Sequence, residues 1–232
     1  MTVAIMQPYI LPYIGYLQLM ANVDKFIFYD DVAFINRGWI NRNRVLMNGK
    51  DFMFTIPLKE ASQNKLINEI YIDNAVNWRP KFLKSIEQSY KKAPFYPEIY
   101  PMIEKIVNNN SEKINDYIVG SFELLNVYLG IKTTIIRSSS SYQNTHLKAQ
   151  ERILDICKQE KANHYVNPIG GMELYQKERF EQEKIKLSFI KTKSIQYTQF
   201  KNEFIPWLSI LDVLMFNDSD KIQGFLNEFE LV

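Results

Sequence analysis

An α/β fold with a Rossmann-like, mostly parallel sheet is what this sequence predicts, and three observations predict it. The chain opens as strand, loop, helix, strand over 2–31, and strand–helix alternation resumes over 131–191. Between them lie a hairpin signal, Asn48-Gly49, and helical periodicity over 77–130. Alternating strands and helices build a parallel sheet, so the hairpin and the helices must be additions to it. The expectation is one α/β domain over 1–232, with a β-hairpin extension at 33–75 and a helical insertion at 77–130.

Each element has a local reason. Thr2 to Met6 is an apolar strand broken at Gln7-Pro8-Tyr9, and Pro12 to Tyr16 opens a helix with Ile14, Leu17, Leu19 and Met20 on or near one face. Lys25 to Tyr29 is the next strand, ending at Asp30-Asp31, and the crossover between the two should be right-handed. Residues 39–47 and 52–57 flank Asn48-Gly49 and read as antiparallel partners. Lys65 to Ile72 reads as a strand. A helix runs from Asn77 to Lys92 with Pro80 near its first turn, a second from Pro97 to Val107, and a third, capped by Ser111, to Tyr128, with Gly130 closing it. Thr133 to Arg137 is a strand that leads into Ser138 to Ser141. Then follow a helix (147–161), a strand (164–167), a helix (173–183), a strand (185–191) and two closing helices (204–216 and 220–229).

Composition narrows the function classes. The 232 residues are 46% apolar, enough for a core, and 14% aromatic, enough to furnish a cleft as well. A net charge of +2 argues against a broad nucleic-acid surface, and no DNA partner is expected. Apolar runs are too short for a membrane span, and no signal-like pattern opens the chain. One cysteine, Cys157, forms no internal disulfide and fits a reducing cytoplasm. With two histidines and one cysteine, no metal centre of the zinc type is expected.

In a βαβ unit, ligands gather where strands deliver their carboxyl ends and helices present their amino ends. Those points are Gln7 to Tyr16 and Asp30-Asp31. Tyr13, Gly15 and Tyr16 stand where nucleotidylyltransferases carry a His-x-Gly-His loop. Tyrosines there can donate to a phosphate but supply no imidazolium, and their bland use is packing of the helix start. Gln7 should point into the crevice beside Tyr9. Asp30 or Asp31 can bind a ribose hydroxyl, or together hold Mg²⁺ with a diphosphate; otherwise one is a cap or ion-pair partner.

From Asn36 to Lys50 there are four cations and no acid. Arg37, Arg42 and Arg44, interleaved with Trp39, Asn41 and Asn43, can clamp a diphosphate and stack a base, though a solvated hairpin face is the usual meaning of such a run. Strand alternation would put Arg37, Trp39 and Asn41 on one face and Arg42 and Arg44 on the other. His146 and His164 are the candidate imidazole bases, and His164 opens an apolar strand. Asn167, Gly170 and Gly171 join a strand to a helix in an anion-receiving turn, and Gln199 follows another strand toward the same edge. Cys157 lies mid-helix on an apolar face, so no Cys/His pair is indicated.

The motifs Met6-Gln-Pro-Tyr9, Pro12-Tyr-Ile-Gly-Tyr16, Tyr29-Asp-Asp-Val32 and Arg37-Gly-Trp-Ile-Asn-Arg-Asn-Arg44 resemble the opening of the WbqC-like family. Thr55–Leu58, Tyr90–Tyr96, Asn167–Gly171 and Ser209–Asn217 extend the likeness over nearly the whole chain. The resemblance implies a place in O-antigen and related surface-polysaccharide clusters. It also implies transfer of an aminoacyl group, glycyl in the role put forward for some members, to a nucleotide-linked amino sugar. The donor stays open between carrier-protein thioester, aminoacyl-tRNA and acyl-adenylate. The expected base is His146 or Asp30, with amides at the Tyr13–Tyr16 helix start as oxyanion donors. Two alternatives stand beside this: a nucleotidylyl- or adenylate-forming enzyme with replaced histidines, and a non-catalytic nucleotide-sugar-binding module.

Overall fold

The chain winds outward from its first strand in both directions. A computed structural model describes residues 1–201 and 203–232. In order, the elements are β1 (Thr2–Met6), α1 (Ile14–Ala21), β2 (Lys25–Phe28), β3 (Arg42–Met47), β4 (Lys50–Thr55), β5 (Leu58–Lys59), β6 (Tyr71–Ile72), α2 (Trp78–Tyr90), α3 (Tyr96–Val107) and α4 (Ile114–Leu129). There follow β7 (Thr134–Ile136), α5 (Ala149–Gln159), β8 (His164–Pro168), α6 (Lys177–Gln182), β9 (Lys186–Thr192), α7 (Ile210–Phe216), α8 (Ser219–Leu226) and β10 (Phe229–Leu231). The central sheet has the order β10-β9-β8-β1-β2-β7. All its pairings are parallel except β9 with β10. Strand order therefore reverses between β1 and β8, the kind of place where open α/β sheets form a crevice.

Alternation along the strands sends side chains to two cores. Ala4, Phe26, Phe28, Val166 and Ile190 face the larger one, built with α1, α4, α7 and α8. Val3, Ile5, Ile27, Tyr165 and Phe189 face the smaller, under α5 and Phe180 of α6. The result is a mixed α/β fold in three layers. The hairpin β3–β4 is a separate two-stranded sheet, and both turn residues are left-handed (Asn48 φ 52°, Gly49 φ 72°) as a two-residue turn requires.

Some expected elements differ. Lys65 to Ile72 is not one strand: Leu66 makes a single bridge to Ala33, Ile67–Glu69 forms a 3₁₀ turn, and Tyr71–Ile72 pairs with β5. Ser111 does not cap α4, which begins at Ile114, because Ile114 N–H is taken by Ile70 O at 3.0 Å. Residues 204–209 are not helical; α7 starts at Ile210, capped by Ser209. The last residues form the antiparallel edge strand β10, which a three-residue stretch does not announce. No helix among the described residues is long and apolar enough to cross a membrane.

Candidate functional site

Three loops meet above the amino end of α1 and enclose a cleft of about 300 Å³, lined by Tyr9, Pro12, Tyr13, Trp39, Asn43, Arg44 and Trp207. The β1–α1 loop, the hairpin and the loop before α7 are stitched together by polar bonds. Asn43 Nδ2 donates to Ile10 O (3.1 Å) and Leu11 O (2.9 Å), and Ser209 Oγ donates to Leu11 O (2.6 Å). Ile210 N–H donates to Pro12 O (2.7 Å), and Ser209 N–H to Arg44 O (2.8 Å). Each loop also holds a non-glycine residue in the left-handed region: Leu11 (φ 40°), Arg37 (φ 59°) and Trp207 (φ 61°). Such conformations persist only where surroundings enforce them, and they gather at ligand sites.

The cleft is aromatic with a single cation. Trp39 and Trp207 remain 41% and 49% exposed, unusual for the largest apolar side chain. Tyr13 meets Trp207 edge-on, centroids 6.0 Å apart. Arg44 lies 5.9 Å from the Trp39 ring; its Nη1 bonds Asp51 at 3.2 Å and its Nη2 reaches Trp207 O at 3.4 Å. Its Nε is shielded from solvent and has no partner among the described residues. Burial raises the hydroxyls of Tyr9 and Tyr13 above the ordinary tyrosine value, partly offset at Tyr13 by a bond with Thr192. Both are therefore protonated donors at neutral pH. Flat rings around a guanidinium with a spare donor suit a planar or sugar ring that carries an anion.

Of the residues expected from sequence, the fold brings Tyr9, Tyr13 and Trp39 together here. Tyr16 is a core residue, 2% exposed, packed on Phe26 and Phe122 and donating to Gln7 O at 2.8 Å, so its hydroxyl is not a phosphate donor. Gln7 is half-buried and outside the cleft wall. Gly15 admits no ligand, because a Cβ would fall on Thr192 Oγ1 and the Tyr13 ring. Arg37 is exposed. Arg42 Nε donates to Gly38 O (2.9 Å) and Asn41 to Ile56 O (2.7 Å), both closing their own loop.

Three of the four oxygens of the acid pair are committed internally, and Asp30 Oδ2 is buried with no partner among the described residues. Asp30 accepts from Ser138 Oγ (2.7 Å) and Ser139 N–H (3.1 Å), and burial raises its carboxyl despite those bonds. Asp31 pairs with Arg152 and Ser139. A Mg²⁺ ion shared by the two carboxylates does not fit these partners. His146 is exposed on the loop after the edge strand β7 and does not line the cleft.

Asn167 is buried and accepts from Tyr165 (3.2 Å). Gly171 lies against Asn167, which explains its lack of a side chain, while Gly170 is open. Gln199 is locked to Asp212 (2.7 Å) and Ile205 (N–H at 2.7 Å), inside the protein. Cys157 is buried in the smaller core and its thiol is pushed up to about 12 by burial, so it is no nucleophile.

The sequence placed Asn43 and Arg44 in the basic run without setting either apart from its neighbours, and did not single out Trp207. A signal for Trp207 was present: it is one of three tryptophans and directly follows Pro206. Replacing Gly15 by alanine should displace the Tyr13 ring. We expect about 1–3 kcal/mol of destabilisation in urea melts together with weakened cleft binding.

A family model described as the WbqC-like protein family matches residues 7–224. The chain is 30% identical over 229 residues to the "Uncharacterized protein Rv1507c" of Mycobacterium tuberculosis, covering 97% of this chain and 96% of that protein. No solved structure matches.

Proposed function

The chain thus belongs to the WbqC-like protein family, and on that premise we propose that it is a cytoplasmic transferase of surface-polysaccharide (O-antigen) biosynthesis, passing an aminoacyl group to the amine of a nucleotide-linked amino sugar. The sheet is read as Rossmann-like, with the sugar nucleotide held in the aromatic cleft. The observation that carries the binding half is Arg44, the cation of the cleft, whose side chain stays 31% exposed beside Trp39 and Trp207. The rings would stack the base or sugar face and Arg44 would take a phosphate oxygen. The acyl half rests on what the family resemblance implies. In that step the sugar amine attacks the acyl carbonyl carbon, and the bond from that carbon to the donor's sulfur or oxygen breaks. The amine proton leaves to water and a proton returns to the departing group.

A second reading, a binding module without turnover, is favoured by one observation. Among the described residues the cleft wall contains no carboxylate or imidazole, and its two tyrosines are held protonated. The adenylate-forming alternative loses support, since the second of its replaced histidine positions, Tyr16, is in the core.

Calorimetry with UDP- and dTDP-linked amino sugars tests the binding half. Arg44→Ala and Trp207→Ala should each weaken affinity by roughly 10–100-fold, the worth of one charged hydrogen bond or ring contact. Affinity unchanged in both variants would refute the cleft as the site. Mass spectrometry of the sugar after incubation with glycyl donors then separates the two readings: a mass gain is transfer, tight binding without one is the module.

A further inference from the structure

Two residues beyond Arg44 on β3, Leu46 forms the floor of a second concavity of about 580 Å³. Its walls are the Asn48-Gly49 turn, Gln88 with Lys91 and Lys92 at the end of α2, and Phe200 with Lys201 from the loop before α7. We propose that this groove is a binding site for a small ligand bearing two or more phosphoryl groups, separate from the aromatic cleft and independent of what the cleft holds.

The charge pattern carries the assignment. Three lysines from two distant segments converge on one hollow whose lining contains no carboxylate. Among the described residues none of the three forms an ion pair. Lys91 and Lys92 complement the negative end of the α2 dipole, which accounts for two of the charges. Lys201 has no such reason to be there.

Its placement is enforced by strain: Phe200 is held at φ 53° with its ring edge-on to Phe216, centroids 4.7 Å apart. Such a conformation persists only where its surroundings enforce it, here the Phe216 contact and the bonds of neighbouring Gln199 to Asp212 and Ile205. The volume is in the range of small-ligand sites, and Leu46 and Phe200 give it an apolar floor on which a nucleoside could rest.

Isothermal titration with inorganic tripolyphosphate and, separately, ATP at low salt tests this. We expect saturable one-to-one binding that weakens as salt is raised. The Lys91→Ala/Lys92→Ala double variant and Lys201→Ala should each weaken it at least about tenfold. Arginine at the same positions should retain it, and Arg44→Ala should leave it unchanged. These lysines are exposed, so melting curves should overlay those of the parent. Tighter binding of ATP than of tripolyphosphate by the Arg44→Ala/Trp207→Ala variant, whose aromatic cleft is disabled, assigns the apolar floor to a nucleoside; equal affinity there confines recognition to the phosphates. No saturable binding, indifference to all three lysines, loss in Arg44→Ala, or binding of tRNA without tripolyphosphate would each overturn the proposal.

Discussion

Arg152→Ala is expected to destabilise the fold by about 3–5 kcal/mol, the cost of leaving a buried charge without its partner. Arg152 is 4% exposed and Asp31, with which it pairs, is 5% exposed. The guanidinium is fully used: Nε donates to Asn144 Oδ1 at 2.8 Å, Nη1 to Asp31 O at 3.3 Å, and its face covers the Tyr29 ring at 4.9 Å. Together these tie α5 to the carboxyl end of β2. Alanine would strand Asp31 in the interior with only Ser139 to satisfy it. Urea denaturation gives the value, and less than about 1 kcal/mol would mean that water reaches the pair. Replacing both members, Arg152→Met with Asp31→Leu, should recover most of the loss, since an apolar pair of similar volume is often as stable as a buried ion pair. Because neither residue lines the cleft, the recovered double variant should bind cleft ligands as the parent does.

Most of the framework could be read from the chain, because strands and hairpins announce themselves locally. The apolar runs at 2–6, 25–28 and 186–192 and the Asn48-Gly49 turn each depend on neighbours in sequence. The site depended on partners far away. Asp30-Asp31 showed its charge, but the serines and arginine that consume it lie more than a hundred positions on. Tyr13 and Tyr16 looked alike three residues apart. Yet α1 is buried from Ile14 through Met20, sandwiched between the sheet and α8, so only the residue before its first turn stays in the open. Even Gln18 is internal, donating to Phe225 O (2.7 Å) and Glu228 O (2.9 Å). Within the basic run, alternation put Arg42 and Arg44 on one face. What separates them is Gly38 O, which engages Arg42, and Trp207 O, 163 residues along the chain, which meets Arg44.

Asp212→Ala should be the most damaging substitution near the cleft. The carboxylate is 0% exposed and has no cationic partner among the described residues. It accepts from Tyr90 (2.8 Å), Tyr197 (2.7 Å) and Gln199 (2.7 Å), and Tyr90 in turn accepts from Leu46 N–H at 2.7 Å. One side chain thus fastens α7 to α2, to strand β3, and to the loop that carries Phe200 and Trp207. Alanine leaves the buried Tyr90 and Tyr197 hydroxyls without an acceptor and removes one of the bonds of Gln199 Nε2, which keeps Ile205 O; at about 1–3 kcal/mol each before relaxation, a total of about 3–5 kcal/mol is expected.

Asp212→Asn keeps one acceptor oxygen and removes the charge, and its pH dependence is diagnostic. Burial raises the Asp212 carboxyl above its ordinary value, outweighing the three hydrogen bonds. Between that ordinary value and the raised one, the folded protein binds the proton and the unfolded chain does not. This group therefore adds stability as pH falls through the window, and that gain is lost as pH rises out of it. Glu160 works the other way. Burial raises it, but bonds from Lys25 and Tyr142 hold it low, so its contribution disappears on acidification through its lowered value.

Subtracting the stability of Asp212→Asn from that of the parent cancels Glu160 and every other shared group. The stability advantage of the parent over Asp212→Asn should therefore grow as pH is lowered from 7 through the raised value of Asp212, then level off below its ordinary value. A difference that stays flat across that range, measured by urea melts followed through tryptophan fluorescence, would mean that the carboxyl titrates as it does in water. The loop would then owe its position to packing alone.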